Sequence, residues 1–202
     1  MEIYFMRHGE SIADIENKIE SRYDAALTDK GIEQAKKISC FFKENQIDFQ
    51  KIISSSLKRA KETSKIISEQ LKVEIVYDEL LMEFDRGILC GLKREEADEK
   101  YPAPSFRNRF ERFPENSGES VIELRTRALL FLNKIISSKK EKILVVSHGR
   151  FLNELISVIL NIPPLYNENN GTIFSFNDCE YIRLKYIEKK DSWVVYEKKY
   201  IL

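Results

Sequence analysis

The chain opens with an apolar, strand-like run, Ile3-Tyr4-Phe5, that leads directly into Met6-Arg7-His8-Gly9-Glu10-Ser11. This stretch holds one of only two histidines in 202 residues. The other histidine lies in Val145-Val146-Ser147-His148-Gly149, again just after an apolar run rich in β-branched residues. Functional sites form at the carboxyl ends of strands in a parallel sheet. If the two strands are neighbours, His8 and His148 are therefore expected to lie together at one sheet edge.

Composition predicts a single domain over residues 1–202. A chain of this length with 43% hydrophobic residues can bury a substantial core. Its 33 acidic and 33 basic residues cancel, which argues against bulk attraction to nucleic acid or to an anionic membrane. Any anion site must therefore be local, built from a few positioned cations.

The N-terminal residues and the cysteines point to a cytoplasmic protein. The chain has neither the features of a signal peptide nor an apolar run of the roughly 18 residues that a membrane span needs. Cys40, Cys90 and Cys179 are far apart and form no Cys-x-x-Cys pair. We therefore expect reduced thiols and no disulfide framework.

Short β-branched runs alternate with longer helical patterns, which predicts βα units around a mostly parallel sheet. Residues 85–117 are less regular and are interpreted as an insertion or lid over a site. Toward the C-terminus, three alternating runs indicate strands, at least two of them a hairpin. The predicted strands are Glu2–Met6, Lys51–Ser54, Val73–Tyr77, Lys142–Ser147, Thr172–Phe176, Tyr181–Tyr186 and Trp193–Tyr196, and the main helices lie at about Thr28–Lys43, Leu57–Leu71, Lys93–Lys100, Ser120–Ile135 and Phe151–Leu160.

The residues near the two histidines suggest phosphoryl chemistry. A neutral imidazole is a competent nucleophile toward phosphorus, and a phosphohistidine divides one hard displacement into two easier steps. Arg7 adjoins His8, and Arg59 begins a predicted helix after a strand; guanidinium groups bind phosphate oxygens in bidentate fashion. These cations also disfavour a protonated His8. Glu83, in a turn after a strand, can serve as a general acid and then as a general base.

Six patches in order along the chain resemble the motifs of the histidine phosphatase superfamily, which has the phosphoglycerate mutase-like fold. The resemblance covers most of the chain, and six patches in register are far more specific than any one of them. The matching patches are Arg7–Ser11, Leu27–Gly31 with Gln34-Ala35, Ser54–Thr63, Glu83 with Gly87 and Gly91, Gly118-Glu119-Ser120 with Arg127, and Ser147-His148-Gly149.

The resemblance implies a three-layer α/β/α domain whose site uses neither metal nor nucleotide. His8 would be phosphorylated, and Arg7, Arg59 and His148 would surround the transferred phosphoryl group. Glu83 would be the proton donor. A small phosphorylated metabolite is the expected substrate, with possible contacts from Ser11, Asp14, Arg86, Arg107 and Arg109.

Two positions depart from the family pattern. Asp14 stands where the family commonly has an asparagine, so an anion replaces an amide donor to the phosphate. The carboxylate can weaken phosphate binding, or it can point elsewhere and select a substrate with a cationic or hydroxyl group. Ser56 replaces a frequent proline, which we interpret as a change in turn stiffness only.

The residues after Glu83 favour a phosphomonoesterase over a cofactor-dependent phosphoglycerate mutase. The mutases typically place Arg directly after this glutamate and Tyr two residues after that Arg, whereas this chain has Phe84 and Arg86, and its insertion is compact. A mutase is the alternative enzyme, and a non-catalytic phosphate-binding protein is a further, weaker alternative. A two-histidine metal site lacks further ligands at any familiar spacing. The natural substrate and the oligomeric state stay open.

Overall fold

The computed structural model describes residues 1–104, 108–138, 141–164 and 174–201. Within these residues, a six-stranded sheet has the strand order β3-β2-β4-β1-β5-β6. The strands are β1 (Glu2–Arg7), β2 (Lys51–Ser55), β3 (Ile75–Asp78), β4 (Lys142–Ser147), β5 (Tyr181–Ile187) and β6 (Ser192–Lys199). The helices are α1 (Ile12–Ile15), α2 (Asp29–Glu44), α3 (Lys58–Leu71), α4 (Arg94–Lys100), α5 (Val121–Ile136) and α6 (Gly149–Ile159).

Strands β1 to β4 are parallel to one another, and β5 and β6 form an antiparallel hairpin at one edge of the sheet. The predictions of a mostly parallel sheet and of a C-terminal hairpin are therefore confirmed. The predicted strand Thr172–Phe176 is wrong for Phe174–Phe176, and its first two residues lie outside the described part. Side chains occupy the backbone groups that a strand would use: Phe174 N donates to Asn153 Oδ1 at 2.7 Å, and Phe176 O accepts from Arg7 at 3.0 Å.

The sheet alternates its apolar side chains between two cores, as the period of two in a strand requires. On one face, Tyr4 and Met6 of β1 pack with α2 and α3. On the other face, Ile3 and Phe5 pack with α5 and α6. The expected three-layer α/β/α architecture follows from this alternation.

The register between β1 and β4 brings the two histidines together. Arg7 is paired with Ser147 at the carboxyl ends of these parallel neighbours. One residue further, His8 N donates to Ser147 O at 3.0 Å, and His148 is the N-cap residue of α6. The expectation that both histidines lie at one sheet edge is confirmed.

The described part of segment 85–117 is tied together at its two ends. Asp85 N donates to Glu119 Oε1 at 2.9 Å, and Ile88 N donates to Ser117 Oγ at 3.0 Å. Between these ends lie α4 and short 3-10 turns. In the described part of the chain, no helix has the length and apolar character needed to cross a bilayer.

The loop after β1 packs directly against the start of α2, which requires glycine at position 31. A Cβ atom on Gly31 would lie 2.1 Å from the backbone oxygen of Glu10. Glycine therefore permits this close approach, which places the loop that carries His8.

Gly31→Ala is expected to lower the free energy of unfolding by about 1–3 kcal/mol, because the backbone must shift to admit the methyl group. Urea denaturation measures this change. Glu33→Ala, an exposed substitution in the same helix, is the control and should stay within about 0.5 kcal/mol of the wild type. Helix propensity alone would make Gly31→Ala stabilising by up to about 1 kcal/mol, so a stabilised variant would contradict the proposed close packing.

Candidate active site

The hydrogen bonds of His8 define its tautomer. Its side chain is fully buried, and Nδ1 lies 2.7 Å from Gly9 O, which can only accept. Nδ1 therefore carries the proton. Arg59 Nε donates to Nε2 of His8 at 3.1 Å, so Nε2 is the unprotonated nitrogen with an available lone pair.

Arg59 is fully buried, and its remaining donors are held by main-chain carbonyls. Its two terminal nitrogens donate to Tyr23 O at 2.8 Å and Ser21 O at 2.9 Å. Its Nε, beside His8, also lies 3.2 Å from Glu20 Oε1. These contacts hold the guanidinium rigidly, and they compensate its buried charge with one carboxylate and two carbonyl oxygens.

Arg7 is partly buried next to His8 in the chain, and acidic side chains surround its guanidinium. One terminal nitrogen donates to Phe176 O at 3.0 Å. The other lies 3.4 Å from Asp178, 3.5 Å from Asp14 and 3.8 Å from Glu20. The cationic centre that the sequence predicts is thus present, but carboxylates neutralise part of its charge.

His148 is fully buried beside His8, with the two ring centroids 5.0 Å apart. Its Nε2 lies 2.7 Å from Ser55 Oγ, at the end of β2. Its buried Nδ1 has no hydrogen-bond partner among the described residues. One ring nitrogen is therefore available to a bound group.

Both imidazoles are held neutral. Burial, followed by the positive charge of Arg59, lowers the pKa of His8 and of His148 well below 6.5. Arg7 acts in the same direction on both rings. At neutral pH the site thus combines neutral imidazoles with permanent guanidinium charges.

The Glu83 side chain is buried beside the N-terminus of α6, the helix that begins directly after His148. Its Oε1 accepts from Phe84 N at 2.8 Å and from Phe151 N at 2.9 Å, and its Oε2 accepts from Arg150 N at 3.1 Å. Oε2 accepts one hydrogen bond and Oε1 accepts two. These three N–H groups fix the carboxyl group of Glu83 beside the first turn of α6.

Arg127 braces the turn that presents Glu83. Its guanidinium donates to the carbonyls of Leu80 at 2.8 Å, Met82 at 2.5 Å and Glu83 at 3.2 Å, and it pairs with Glu119 at 2.5 Å. Ser147 Oγ, next to His148, donates to Leu81 O at 2.7 Å. The acid-bearing turn is thereby fixed to α5 and to β4.

Glu20 is a member of this cluster that sequence reasoning missed. Its carboxylate accepts from Ser11 Oγ at 2.7 Å and contacts Arg59 and Arg7. Asp14 accepts from Ser11 N at 2.9 Å and so completes a capping box with Ser11, the N-cap residue of α1. Together with Asp178, three carboxylates therefore border the two arginines. Residues 16–27 show no periodic pattern, and the signal that could have found Glu20 is an acidic residue soon after the Arg7–Ser11 motif.

The other predicted substrate contacts do not all lie at the site. Ser11 is buried among the acidic residues just described, and Arg86 lines a pocket beside Glu83. Arg109 is exposed in a turn and is absent from the residues that line this pocket. Arg107 lies outside the described residues. In the described part of the chain, no group of three His, Cys, Asp or Glu residues is arranged to hold a metal ion.

Sequence comparison places the chain near one enzyme family. The profile of the histidine phosphatase superfamily, branch 1, matches residues 3–198. A 2,3-bisphosphoglycerate-dependent phosphoglycerate mutase of Parvibaculum lavamentivorans is 31% identical over 82% of this chain and 81% of its own length. A protein of Proteus mirabilis named a probable phosphoglycerate mutase is 29% identical over 96% of this chain and 91% of its own length.

Structural comparison finds the same fold in phosphatases. The α-ribazole phosphatase of Shigella flexneri superposes with a TM-score of 0.84 at 19% identity, covering 97% of this chain and 95% of that one. A mycobacterial glucosyl-3-phosphoglycerate phosphatase superposes with a TM-score of 0.81 at 20% identity, covering 96% of both chains. At these identities, the superpositions show a shared fold.

The two buried neutral histidines are expected to make folding sensitive to mild acid. Below pH 6.5 the unfolded chain binds protons that the folded site refuses, so stability present above pH 6.5 is lost as pH falls toward the lowered pKa values. Each histidine contributes about 0.8 kcal/mol per pH unit on average between pH 7 and 5.5, and the slope approaches about 1.4 kcal/mol per pH unit at lower pH. Urea denaturation between pH 7 and 5.5 measures the slope. His148→Gln should remove about half of it, and an unchanged slope would show that His148 is not buried neutral.

Proposed function

The chain belongs to the histidine phosphatase superfamily, and from this membership we propose that it is a metal-independent phosphomonoesterase that acts through a phosphohistidine at His8. The observation that carries the proposal is the unprotonated Nε2 of a buried His8, in contact with Arg59 at 3.1 Å. We further propose a small phosphorylated metabolite as substrate and the cytoplasm as the compartment. The alternative of a non-catalytic phosphate-binding protein does not account for a buried imidazole that is held neutral with its unprotonated nitrogen in contact with an arginine.

In the first step, Nε2 of His8 attacks phosphorus in line with the ester oxygen. The N–P bond forms as the P–O bond breaks, and the leaving oxygen takes a proton from Glu83. The Nε–H of Arg59, which faces Nε2 of His8, donates to a phosphoryl oxygen once the phosphate is bound. Tyr23 O and Ser21 O keep the guanidinium in place, and Arg7 and His148 donate beside it. Preorganised donors of this kind stabilise the charge of the transition state.

In the second step, water attacks the phosphohistidine. Glu83, now ionised, takes a proton from this water, and the electrons of the breaking N–P bond return to Nε2. Inorganic phosphate leaves and the site is restored. The hydrogen bond from Nδ1–H to Gly9 O at 2.7 Å keeps the ring oriented through both steps.

The named relatives favour phosphoglycerate mutase as a second candidate. A mutase returns the phosphoryl group from histidine to a second hydroxyl of the same substrate instead of to water. The two activities share every step up to the phosphohistidine. Phe84 and Arg86 after Glu83 favour the phosphatase, and a coupled assay of phosphoglycerate isomerisation distinguishes the two.

Purified protein is expected to hydrolyse p-nitrophenyl phosphate, and a chelator should leave the rate unchanged because arginines supply the positive charge. His8→Asn should abolish turnover, and Arg59→Ala should lower kcat/KM by roughly two to three powers of ten. Lys58→Gln, an exposed neighbour on the same helix, is the control. Loss of activity in chelator, restored by a divalent ion, would contradict the proposal; so would full activity in His8→Asn.

Glu20→Gln is expected to increase the affinity for inorganic phosphate and for vanadate. The carboxylate contacts Ser11, Arg59 and Arg7, where a phosphoryl group would otherwise bind, and two like charges at 4 Å repel by about 4 kcal/mol at an effective dielectric of 20. Solvation reduces this value, so we expect a roughly tenfold lower inhibition constant, or about 1.4 kcal/mol.

Two further variants test this interpretation of Glu20. Glu16→Gln, in the same segment but paired with Lys18, should leave the inhibition constant unchanged. The Asp14 carboxylate lies 3.5 Å from Arg7 and is not in contact with Arg59. Asp14→Asn should therefore improve kcat/KM for p-nitrophenyl phosphate by a smaller factor than Glu20→Gln does. Weaker binding of phosphate by Glu20→Gln would show that the carboxylate orients the arginines instead of competing with phosphate.

A further inference from the structure

Ser21 joins the two halves of the proposed site through both its side chain and its backbone. Its buried hydroxyl donates to Phe84 O at 3.0 Å and accepts from Arg86 N at 2.8 Å. Its carbonyl oxygen accepts from Arg59, the arginine beside the nucleophile, at 2.9 Å. One residue therefore connects the turn that carries Glu83 with the buried guanidinium.

The two hydrogen bonds of the Ser21 hydroxyl hold the backbone directly after Glu83. Phe84 N donates to Glu83 Oε1 at 2.8 Å, so a movement of the Phe84 backbone also moves the carboxyl group. Arg127 binds the backbone on the other side of Glu83 and ties it to α5. Ser21 ties the same turn to the loop whose carbonyls hold Arg59.

Arg22 crosses the same gap, but its side chain is more exposed to water. It lies 3.4 Å from Asp85 with 37% of its side chain exposed, whereas Ser21 is 4% exposed. Exposed ion pairs contribute little because water screens them. Hydrogen bonds are stronger where the local dielectric is low. The buried hydroxyl is therefore expected to fix the turn more firmly than the ion pair does.

The backbone of Ser21 adopts a conformation that favours glycine. Its φ is +43°, in a turn closed by the hydrogen bond from Tyr23 N to Glu20 O at 2.7 Å. This region is disfavoured for a residue with a Cβ atom, and it persists where the surrounding contacts hold it. Glycine would take the conformation freely but has no hydroxyl. The two hydrogen bonds of the serine offset the unfavourable backbone conformation.

We propose that Ser21 is a positioning residue for the proton donor: its hydroxyl sets the place of Glu83 relative to Arg59 and the nucleophile. A general acid acts only within hydrogen-bond reach of the leaving oxygen, and small displacements of a reacting group lower the rate strongly. Both hydrogen bonds of the hydroxyl are made within the protein, which assigns it to positioning instead of to substrate contact. This inference rests on the proposed phosphomonoesterase function.

Leaving groups of different basicity test the proposal. p-Nitrophenolate is a weak base that departs without a proton, whereas phenolate is more basic and needs a proton from Glu83 as it departs. Ser21→Ala should therefore lower kcat/KM for phenyl phosphate by roughly tenfold and for p-nitrophenyl phosphate by less than about threefold. The backbone carbonyl that accepts from Arg59 is kept in this variant, so attack by His8 should be retained.

Two further variants calibrate this readout. Glu83→Gln removes the proton donor, so its loss should also be larger on phenyl phosphate and should exceed that of Ser21→Ala. Ser21→Gly removes both the hydroxyl and the disfavoured conformation. It should lose as much selectively on phenyl phosphate as Ser21→Ala, with a urea midpoint at or above that of Ser21→Ala. Lost activity in Ser21→Gly is then not a consequence of lost stability.

Ser117→Ala is the matched control. Its hydroxyl also makes two hydrogen bonds to the backbone, accepting from Ile88 N at 3.0 Å and donating to Pro114 O at 2.6 Å. These bonds lie within segment 85–117 and do not reach the loop that holds Arg59. The ratio of kcat/KM between the two esters should stay at the wild-type value in this variant.

Two results would overturn the inference while the proposed function stands. One is an equal loss on both esters, or no loss, in Ser21→Ala and Ser21→Gly, with the selective loss still present in Glu83→Gln. The other is an equal loss on both esters in Glu83→Gln, which would show that Glu83 is not the proton donor that Ser21 could position. A wild type without activity on any phosphate ester would refute the proposed function, and the inference with it.

Discussion

The parallel pairing of β1 with β4 is the constraint on which the active site depends. Because Arg7 is in register with Ser147, the next residue on each strand is a histidine, and the two rings lie 5.0 Å apart. A shift of register by one residue would exchange the two faces of β1 and place Tyr4 and Met6 in the core that is shaped for Ile3 and Phe5. The same packing that stabilises the core therefore places the candidate nucleophile and its neighbour.

The charge distribution of the site depends on the buried guanidinium group of Arg59. Arg59 is fully buried; two carbonyls and Nε2 of His8 accept its hydrogen bonds, and the Glu20 carboxylate lies 3.2 Å from its Nε. Burial, followed by the positive charge of Arg59, keeps the imidazoles of His8 and His148 neutral. The site thus combines a neutral nucleophile with fixed positive charge, which is the combination that attack on a phosphate ester requires. Glu20 compensates part of this charge through its contacts with Arg59 and Arg7.

Much of this arrangement was predictable from the sequence, and the missing parts have a physical reason. Apolar runs and helical periodicity predicted the strands and helices, and the motifs around His8, Arg59 and His148 predicted the central cluster. Strand order and register depend on hydrogen bonds between distant segments, which periodicity does not encode. Glu20 was missed because it lies in an irregular segment, where the contacts of a side chain depend on the tertiary structure.

The central claim is that Nε2 of His8 forms the bond to phosphorus, since Nδ1 is committed to Gly9 O. The most direct test is to quench the enzyme in alkali during turnover of a phosphate ester, locate the phosphate by mass spectrometry and assign the ring nitrogen by NMR of the labelled peptide. The account predicts phosphate on His8, bonded to Nε2. Phosphate on Nδ1, on another residue, or no phosphoenzyme in an actively turning-over sample would contradict it.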